Sequence, residues 1–196
     1  MNAELRIGAD GVARCWWPGD DPLYVAYHDD DWGRPVRDER ELFEKLILDG
    51  AQAGLAWITI LRKRDGYRRA FEGFHPEVVA AYGPADVERL LADPGIVRNR
   101  QKIAAAISNA QALLAMHDAG ETLVDLVWSH VPATHGPLKA GDAIPVTSPE
   151  AEALSKALRE RGFKFVGPTI IYAFMQAVGV VNDHVDGCAF RRRFTP

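Results

Sequence analysis

The chain has 196 residues, a formal net charge of −4 and 47% hydrophobic residues. This length favours a single domain, and this composition supports a buried core without disulfide bonds. The chain holds two cysteines and shows neither a secretory leader nor an apolar run of the roughly 18 residues that a membrane span needs. We therefore expect a cytoplasmic protein without membrane attachment. The negative charge gives no overall basic field, so any contact with nucleic acid has to be local.

The first half of the chain shows helical periodicity. Asp38 followed by Glu41 is typical of a helix N-cap with its reciprocal partner three residues later. A second helical segment is predicted from about Trp57 to Phe71. A third begins near Pro84 and ends at the Pro94-Gly95 pair, and another helix follows at once.

The second half continues in the same way. A helix is predicted from roughly Leu123 to Val131, and the proline- and glycine-rich segment Pro132–Pro145 is predicted to be a loop. Thr147-Ser148-Pro149-Glu150 is a strong helix start, and this helix ends at Gly162. A last helix runs from about Pro168 to Val178. Alternating patterns are absent, apart from a possible extended piece at 163–166, so the predicted class is all-α.

Two Cys–His pairs stand near opposite ends of the chain: Cys15 with His28, and His184 with Cys188. Structural zinc sites use four Cys or His ligands in a tetrahedron, commonly as two local pairs. His184 and Cys188 are four residues apart, which predicts that both lie on one face of a helical turn. The alternative is two buried thiols and two ordinary histidines. Four protein ligands leave no open position, so such a metal would be structural and would join the two chain ends.

The segment 90–100, LLADPGIVRNR, resembles the helix-hairpin-helix element of DNA repair proteins. In that element a glycine turn presents backbone N–H groups to a phosphate, and the second helix adds its positive N-terminal end. The residues predicted to contact DNA are Gly95, Ile96, Val97 and Arg98. The alternative is a plain connection between two helices.

Four of the five tryptophans lie between Trp16 and Trp57, together with Tyr24 and Tyr27. Aromatic residues at this density usually form core. The segment 23–32 is also rich in aspartate, which is unusual for core. A cavity with aromatic walls and a carboxylate suits a flat, cationic ligand, because ring faces attract cations and a carboxylate accepts hydrogen bonds from an amine.

Four ordered sequence blocks resemble 3-methyladenine DNA glycosylase I. They are DPLYVAYHD at 21–29 with WG at 32–33, QAGLAWITIL at 52–61, KAL with RGFKFVG between 156 and 167, and VNDHV at 181–185. The similarity covers nearly all of the chain beyond the first dozen residues. It implies a helix-hairpin-helix glycosylase fold over 1–196, with the hairpin at about 84–116 and zinc-bound ends at about 13–35 and 181–190.

The resemblance also implies an activity and a partner. Such an enzyme excises 3-methyladenine from alkylated double-stranded DNA by cutting the N-glycosidic bond, and it extrudes the base from the stack to do so. The family binds zinc, and Cys15, His28, His184 and Cys188 fall on its ligand positions. We expect one structural Zn²⁺ per chain and a monomer. We identify no lysine nucleophile in the aromatic segment, so we expect a monofunctional enzyme that leaves an abasic site.

The resemblance assigns the base-binding residues as well. Trp57 matches the stacking tryptophan, Trp17 a second tryptophan of the pocket, and Tyr27 the base-contacting tyrosine. Tyr24 and Trp32 belong to the same aromatic segment and complete the expected base-binding set.

Asp49 matches the carboxylate that reads the base, where a member of the family carries glutamate. Aspartate is one methylene shorter, so it reaches less far or needs a shifted backbone or base. The alternative is that Asp49 is an ordinary surface residue near a helix end. Leu55 is a candidate for the wedge that fills the vacated base stack, with a plain core leucine as the alternative.

Two other functions fit parts of the pattern. The replacement of glutamate by Asp49 would suit a non-catalytic binder of alkylated or abasic DNA on the same fold. A zinc hydrolase would use the same ligands, but it requires a three-ligand site with an open position.

Overall fold

The structure, a computed structural model, describes residues 2–193 and is mostly helical. The α-helices are α1 (Pro22–Ala26), α2 (Glu39–Gln52), α3 (Trp57–Leu61), α4 (Arg64–Ala70), α5 (Pro76–Ala80), α6 (Pro84–Ala92), α7 (Arg100–Asp118), α8 (Leu123–Trp128), α9 (Pro149–Glu160) and α10 (Pro168–Ala177). A π-helical turn at Tyr27–Asp31 follows α1, and a 3-10 turn at Glu72–Phe74 follows α4. The predicted helical class is confirmed.

The main core is built by the apolar faces of the longer helices. In α2, Leu42, Phe43, Leu46 and Ile47 are buried, as the periodicity predicts. This helix packs against α10, which also packs against α9, while α5 lies on α7. Asp38 caps α2 by accepting a hydrogen bond from the backbone N–H of Glu41. Because residues 46–51 near the end of α2 are buried, this part of the helix can carry a polar side chain to a buried site.

A second, smaller apolar cluster joins the two ends of the chain. It contains Ala3, Cys15, Leu138, Val185 and Cys188. Trp16, Trp17 and Trp32 pack against it.

A short antiparallel hairpin precedes α1 and was not predicted. Strand β1 (Leu5–Ile7) pairs with β2 (Ala13–Cys15), with Leu5 opposite Cys15. Each strand has three residues and β1 is exposed throughout, so no alternating pattern arises. The expectation of an extended piece at 163–166 was wrong, because no strand lies there among the described residues. Instead the Asn109 side chain bonds both the N–H and the C=O of Lys164.

The predicted helix from Trp57 to Phe71 is interrupted. Helix α3 ends at Leu61 and α4 begins at Arg64, with Lys63 in a non-helical conformation between them. The side chain of Lys63 donates a hydrogen bond to the carbonyl of Pro94 at 2.6 Å, so the break faces the turn between α6 and α7. None of the helices between residues 2 and 193 has the length and apolar character needed to cross a membrane.

The contact between Gly66 and Gly95 generates a test of the packing between α4 and this turn. A methyl group at Gly66 would overlap the carbonyl oxygen of Gly95. We expect Gly66→Ala to lower the free energy of unfolding by about 1–3 kcal/mol, the usual cost of overpacking. Urea unfolding measures the change. Gly136→Ala is the control, since no atom lies within 4 Å of a methyl group there. Equal stabilities of the two variants would contradict the packing.

Candidate functional site

Four potential metal ligands meet where the two chain ends come together. The nearest ligand atoms of Cys15, His28, His184 and Cys188 all lie within 4.8 Å of one another, and all four residues are buried. Cys15 ends β2 and His28 lies in the π-helical turn. The expected helical turn at 184–188 was wrong, because Gly187 has a φ of +92° and the segment forms a turn after an isolated bridge at Val185.

The donor distances fit a tetrahedral metal site. Nδ1 of His184 lies 3.5 Å from Sγ of Cys188 and 3.8 Å from Sγ of Cys15. Nε2 of His28 lies 3.7 Å from Sγ of Cys188. A zinc ion with Zn–S of about 2.3 Å and Zn–N of about 2.0 Å would hold sulfur and nitrogen ligands about 3.5 Å apart. The four residues can therefore hold a metal ion with no position left open.

Each histidine of the cluster binds an acceptor through its other ring nitrogen. Nδ1 of His28 lies 2.8 Å from the Asp29 carboxylate, and Nε2 of His184 lies 3.2 Å from the carbonyl of Trp32. Arg14 donates hydrogen bonds to both oxygens of Asp29 at 2.8–2.9 Å. Such partners fix the tautomer and orientation of metal-binding histidines.

The sulfur atoms are also held in place. The N–H of Val185 donates to Sγ of Cys15 at 3.4 Å. Hydrogen bonding from Cys15, together with that from His184 and His28, lowers the pKa of Cys188. A lowered pKa favours the thiolate, which is the form that binds metals.

An aromatic cavity of about 240 Å³ lies beside this cluster. It is lined by Trp16, Trp17, Tyr24, Tyr27, Trp32, Lys45, Asp49, Gln52, Trp57, Leu138, Ile144, Ala173, Gln176 and Asp183. The lining includes all six residues that the sequence predicts to contact the base. None of the four potential ligand residues lines the cavity, so the candidate metal site and the cavity are separate.

Two aromatic side chains of the cavity wall pack against the histidines of the cluster. The Trp17 ring lies edge-on to His28, with ring centres 5.2 Å apart. The Trp32 ring centre lies 4.6 Å from that of His184. Trp17 also contacts Tyr24 at 5.0 Å. The position of these walls therefore depends on the geometry of the cluster.

Asp49 is a buried carboxylate on the cavity wall, with 2% of its surface exposed. This excludes the alternative of an ordinary surface residue. Its Oδ1 accepts a hydrogen bond from Lys45 at 3.1 Å, while its Oδ2 is buried without a hydrogen-bond partner among the described residues. Burial raises the pKa of Asp49, and the charge of Lys45 opposes this shift. The unpartnered oxygen is available to a ligand.

Trp57 and Tyr27 form the neighbouring part of the cavity. Their ring centres are 5.4 Å apart. The indole N–H of Trp57 is buried and has no hydrogen-bond partner among residues 2–193. Burial raises the pKa of Tyr27 well above its ordinary value, with a smaller contribution from the charge of Asp49. The phenol therefore stays protonated at neutral pH.

Sequence reasoning missed several residues of the cavity, above all Lys45. It lies four residues before Asp49 on the same face of α2, so the helical spacing could have revealed it. The buried Asp183 was also missed. It accepts hydrogen bonds from Tyr172, Gln176 and His135, each at 2.7 Å.

The predicted hairpin forms between α6 and α7, but several of its polar groups have internal partners. The N–H of Gly95 donates to the Asp93 carboxylate at 2.6 Å, and that of Val97 donates to the Tyr67 hydroxyl at 3.2 Å. Ile96 is 2% exposed and belongs to the core, whereas Arg98 is exposed. Asn99, the residue after Arg98, caps α7. Phosphate binding at Gly95 thus requires Asp93 to release this N–H.

Leu55 lies in the loop between α2 and α3. It is 39% exposed, which excludes the alternative of a plain core leucine. Gly54 before it has a φ of +77°, a conformation that favours glycine. Lys102 donates hydrogen bonds to the carbonyls of Ala51 and Ala53, both at 2.7 Å, and so holds the base of this loop.

Comparison with known proteins identifies the class. The chain superposes on a crystal structure of 3-methyladenine DNA glycosylase I with a TM-score of 0.85 and 54% identity, over 90% of this chain and 98% of that one. It also superposes on a variant of such an enzyme in complex with 3-methyladenine, with a TM-score of 0.81 and 36% identity, over 87% of this chain and 93% of that one. The fold is therefore that of a DNA glycosylase.

The sequence comparisons are more specific. The profile of the methyladenine glycosylase family matches residues 17–192. The chain is 54% identical over 181 residues to DNA-3-methyladenine glycosylase 1 of Escherichia coli. The aligned region covers 90% of this chain and 96% of that protein. The chain belongs to the methyladenine glycosylase family, and the resemblance stated from the sequence is confirmed.

The Asp29 carboxylate beside His28 generates a test of the metal site. We expect Asp29→Ala to weaken binding of Zn²⁺, used as the probe, by about 10–100-fold, because His28 loses the partner that orients its ring. Competition with a chromophoric chelator measures the affinity. Asp30→Ala is the matched control, since this neighbouring aspartate contacts Arg193 and no ligand histidine in the described contacts. Equal affinities in both variants would show that Asp29 does not orient the ligand.

Proposed function

We propose that the protein is a DNA-3-methyladenine glycosylase that hydrolyses the N-glycosidic bond of 3-methyladenine in alkylated double-stranded DNA. The observation that carries this proposal is the Asp49 carboxylate, buried in an aromatic cavity with one oxygen that has no hydrogen-bond partner within residues 2–193. An unpartnered buried carboxylate oxygen costs free energy, and a ligand that donates a hydrogen bond recovers it. The exocyclic amine of an adenine base supplies such a donor.

The aromatic residues bind and orient the extruded base. The base stacks on Trp57, and Tyr27, Trp17, Tyr24 and Trp32 form the remaining walls. Extrusion costs a few kcal/mol and is cheapest for a damaged base, which favours alkylated sites. A 3-methylated adenine in DNA is cationic, so its glycosidic bond is already weakened and the leaving base needs no protonation. Water then adds to C1′ and an abasic site remains, which is the product of a monofunctional glycosylase.

The metal in this proposal is Zn²⁺, held by the two cysteines and two histidines as a structural ion. Two thiolates and two imidazoles are a donor set that zinc prefers. The bound ion would fix the turn that carries His28, and Tyr27 directly precedes this residue. The chain's own residues therefore perform binding and orientation of the base.

The duplex contact in this proposal combines two elements. Leu55, exposed on the loop before α3, enters the space that the base leaves. The turn at Gly95–Arg98 contacts the phosphate backbone, a contact that positions the protein without reading sequence. We propose a monomer, one functional unit over 1–196, working in the cytoplasm, where its two unpaired thiols stay reduced.

A zinc hydrolase using the same ligands has less support. All four donors converge within 4.8 Å and are buried, which leaves no open coordination position. A non-catalytic binder of alkylated DNA differs from the proposed enzyme only in releasing no base.

A base-release assay tests the proposed activity. Methylated DNA is incubated with the protein, and released bases are separated by chromatography. We expect wild type to release 3-methyladenine, and Asp49→Asn to be slower by about 100-fold, because the amide is uncharged and leaves Lys45 unpaired in the cavity. Asp65→Asn, a change of the same kind at an exposed position of α4, is the control.

The outcomes separate the candidate functions. No free base from the wild type, with retained binding to methylated DNA, would establish a binder and contradict the glycosylase. Unchanged release by Asp49→Asn would remove Asp49 from the reaction and leave the enzyme intact.

Removal of the metal provides a further prediction. We expect dialysis against a chelator to lower the midpoint of thermal unfolding, because the ion joins the two chain ends. Base release per folded molecule falls only in part at a temperature where the metal-free protein is folded, because the rings of Trp17 and Trp32 pack against His28 and His184 and shift with them. Circular dichroism measures the folded fraction. Complete loss of release with no change in the unfolding midpoint would support the hydrolase instead.

A further inference from the structure

Lys45 is a partly buried cation that lines the cavity, and no step of the proposed reaction uses it. Its side chain is 15% exposed. Nζ lies 3.1 Å from Oδ1 of Asp49, 3.1 Å from the hydroxyl of Tyr27 and 3.5 Å from the ring centre of Trp57. Its three neighbours are thus the residues proposed to read, contact and stack the base.

The ammonium group has one N–H that lacks a strong acceptor among the residues that the structure describes. Lysine has three N–H donors. One is bound by Asp49 and one by Tyr27, while the remaining one faces the Trp57 ring, which is a weak acceptor. A ring nitrogen with a lone pair would be a better partner. A base that stacks on this face moves the ammonium from above the ring to the edge of the base, and the flexible lysine stem allows this shift.

Asp49 and Lys45 together offer one acceptor and one donor side by side. Oδ2 of Asp49 is buried and has no partner in the described part of the chain, while Oδ1 of the same carboxylate lies 3.1 Å from Nζ of Lys45. Adenine presents the complementary pair, an exocyclic amine that donates and an adjacent ring nitrogen that accepts. Methylation at N3 leaves both groups in place.

We infer that Lys45 is a second base-contacting residue, which donates a hydrogen bond to the ring nitrogen beside the exocyclic amine and assists departure of the base. This inference rests on the proposed function of the cavity. Asp49 accepts from the amine at the same time, so the pair reads two neighbouring positions of the base.

The charges explain how this contact would favour the reaction. The methylated base is cationic while it is attached to the sugar, and the nearby ammonium repels it. When the bond from C1′ to the base breaks, its electron pair passes into the ring, and the base leaves neutral. Water supplies the hydroxyl to C1′ and releases a proton to solvent. The hydrogen bond from Lys45 therefore strengthens as the bond breaks, and only such interactions accelerate the chemical step.

The substitutions Lys45→Met and Lys45→Arg test the contribution to rate. We expect Lys45→Met to lower the single-turnover rate of base release by about 100-fold, the usual effect of removing one such donor. The affinity for methylated DNA stays equal or increases, because the repulsion of the cationic base is removed. Lys45→Arg keeps a charged donor and retains part of the rate. A Lys45→Met rate equal to that of wild type would overturn the inference.

A double variant separates this contact from a purely structural role of the ion pair. Removing one partner of a buried pair leaves the other uncompensated, so Lys45→Met lowers stability by itself. Lys45→Met combined with Asp49→Asn removes both charges and should recover much of that stability in urea unfolding. Asp49→Asn alone is the reference for its rate of base release. We expect the double variant to be slower than Asp49→Asn, because the Lys45 donor is lost as well. A rate equal to that of Asp49→Asn would show that Lys45 acts only through the ion pair.

Binding of free bases tests the contact without any catalysis. The probes are 3-methyladenine and two analogues, each with carbon in place of one of the two ring nitrogens that flank the exocyclic amine. Tryptophan fluorescence measures their binding. We expect one analogue to bind wild type about 10-fold more weakly than 3-methyladenine, the effect of about 1.4 kcal/mol, and Lys45→Met not to distinguish the two. Equal discrimination by both proteins would contradict the contact. Discrimination without base release would contradict the proposed activity and leave the contact standing.

Borohydride treatment of the protein with abasic DNA tests whether Lys45 acts as a nucleophile. An amine with lowered pKa can attack an aldehyde, and burial lowers the pKa of Lys45, against the opposing charge of Asp49. We expect no covalent product. A reduced adduct at Lys45 would overturn the hydrogen-bond role and make this residue a nucleophile.

Discussion

The convergence of the two chain ends on four buried Cys and His donors is the constraint on which the candidate site depends. These donors come from a strand end, a π-helical turn and a C-terminal turn, and the smaller apolar cluster lies beside them. The rings of Trp17 and Trp32 rest on the imidazoles of His28 and His184. Any change in donor geometry therefore reaches the cavity walls through direct contacts, although no donor lines the cavity.

Two successive contacts outside the cluster hold the ring of His28 in place. Arg14 holds Asp29, and Asp29 holds the ring of His28. Arg14 lies on β2 and also binds Asp10 in the turn of the hairpin, with contacts of 2.8 and 2.9 Å. The N-terminal hairpin, which precedes the matched family region, thus contributes a partner to the site. A short hairpin is only marginally stable alone, so these ionic contacts also fix its position.

Much of the fold could be predicted because its longer helices, α2, α6, α7, α9 and α10, have enough residues to show a period. The apolar face of α2, the start of α9 at Ser148 and the turn between α6 and α7 follow from side-chain spacing and capping residues. The hairpin could not be predicted, because strands of three residues carry no period. The helical turn expected at His184 fails because the spacing of ligands is equally compatible with a turn, and Gly187 favours that turn.

The candidate site shows the same division between local pattern and tertiary context. Spacing suggested the four donors, but the Asp93 carboxylate that occupies the Gly95 N–H follows from a contact that spacing does not reveal. Lys45 was overlooked because a lysine on an amphipathic helix is usually exposed. Its burial results from the packing of Trp57 and Tyr27 over α2, which the sequence of α2 alone does not contain.

The identity of Asp49 and the presence of Lys45 are best understood together. A lone buried carboxylate would carry an uncompensated charge. Lys45 compensates this charge by donating a hydrogen bond to one carboxylate oxygen, and the other oxygen is left for a ligand. A glutamate at position 49 would have a side chain one methylene longer in the cavity that Lys45 also lines. Asp49→Glu would therefore reduce the cavity volume available to the base, while the lysine stays in place. The shorter side chain of Asp49 leaves more room than a glutamate would. This suits a cavity that has to hold the carboxylate, the lysine and a base.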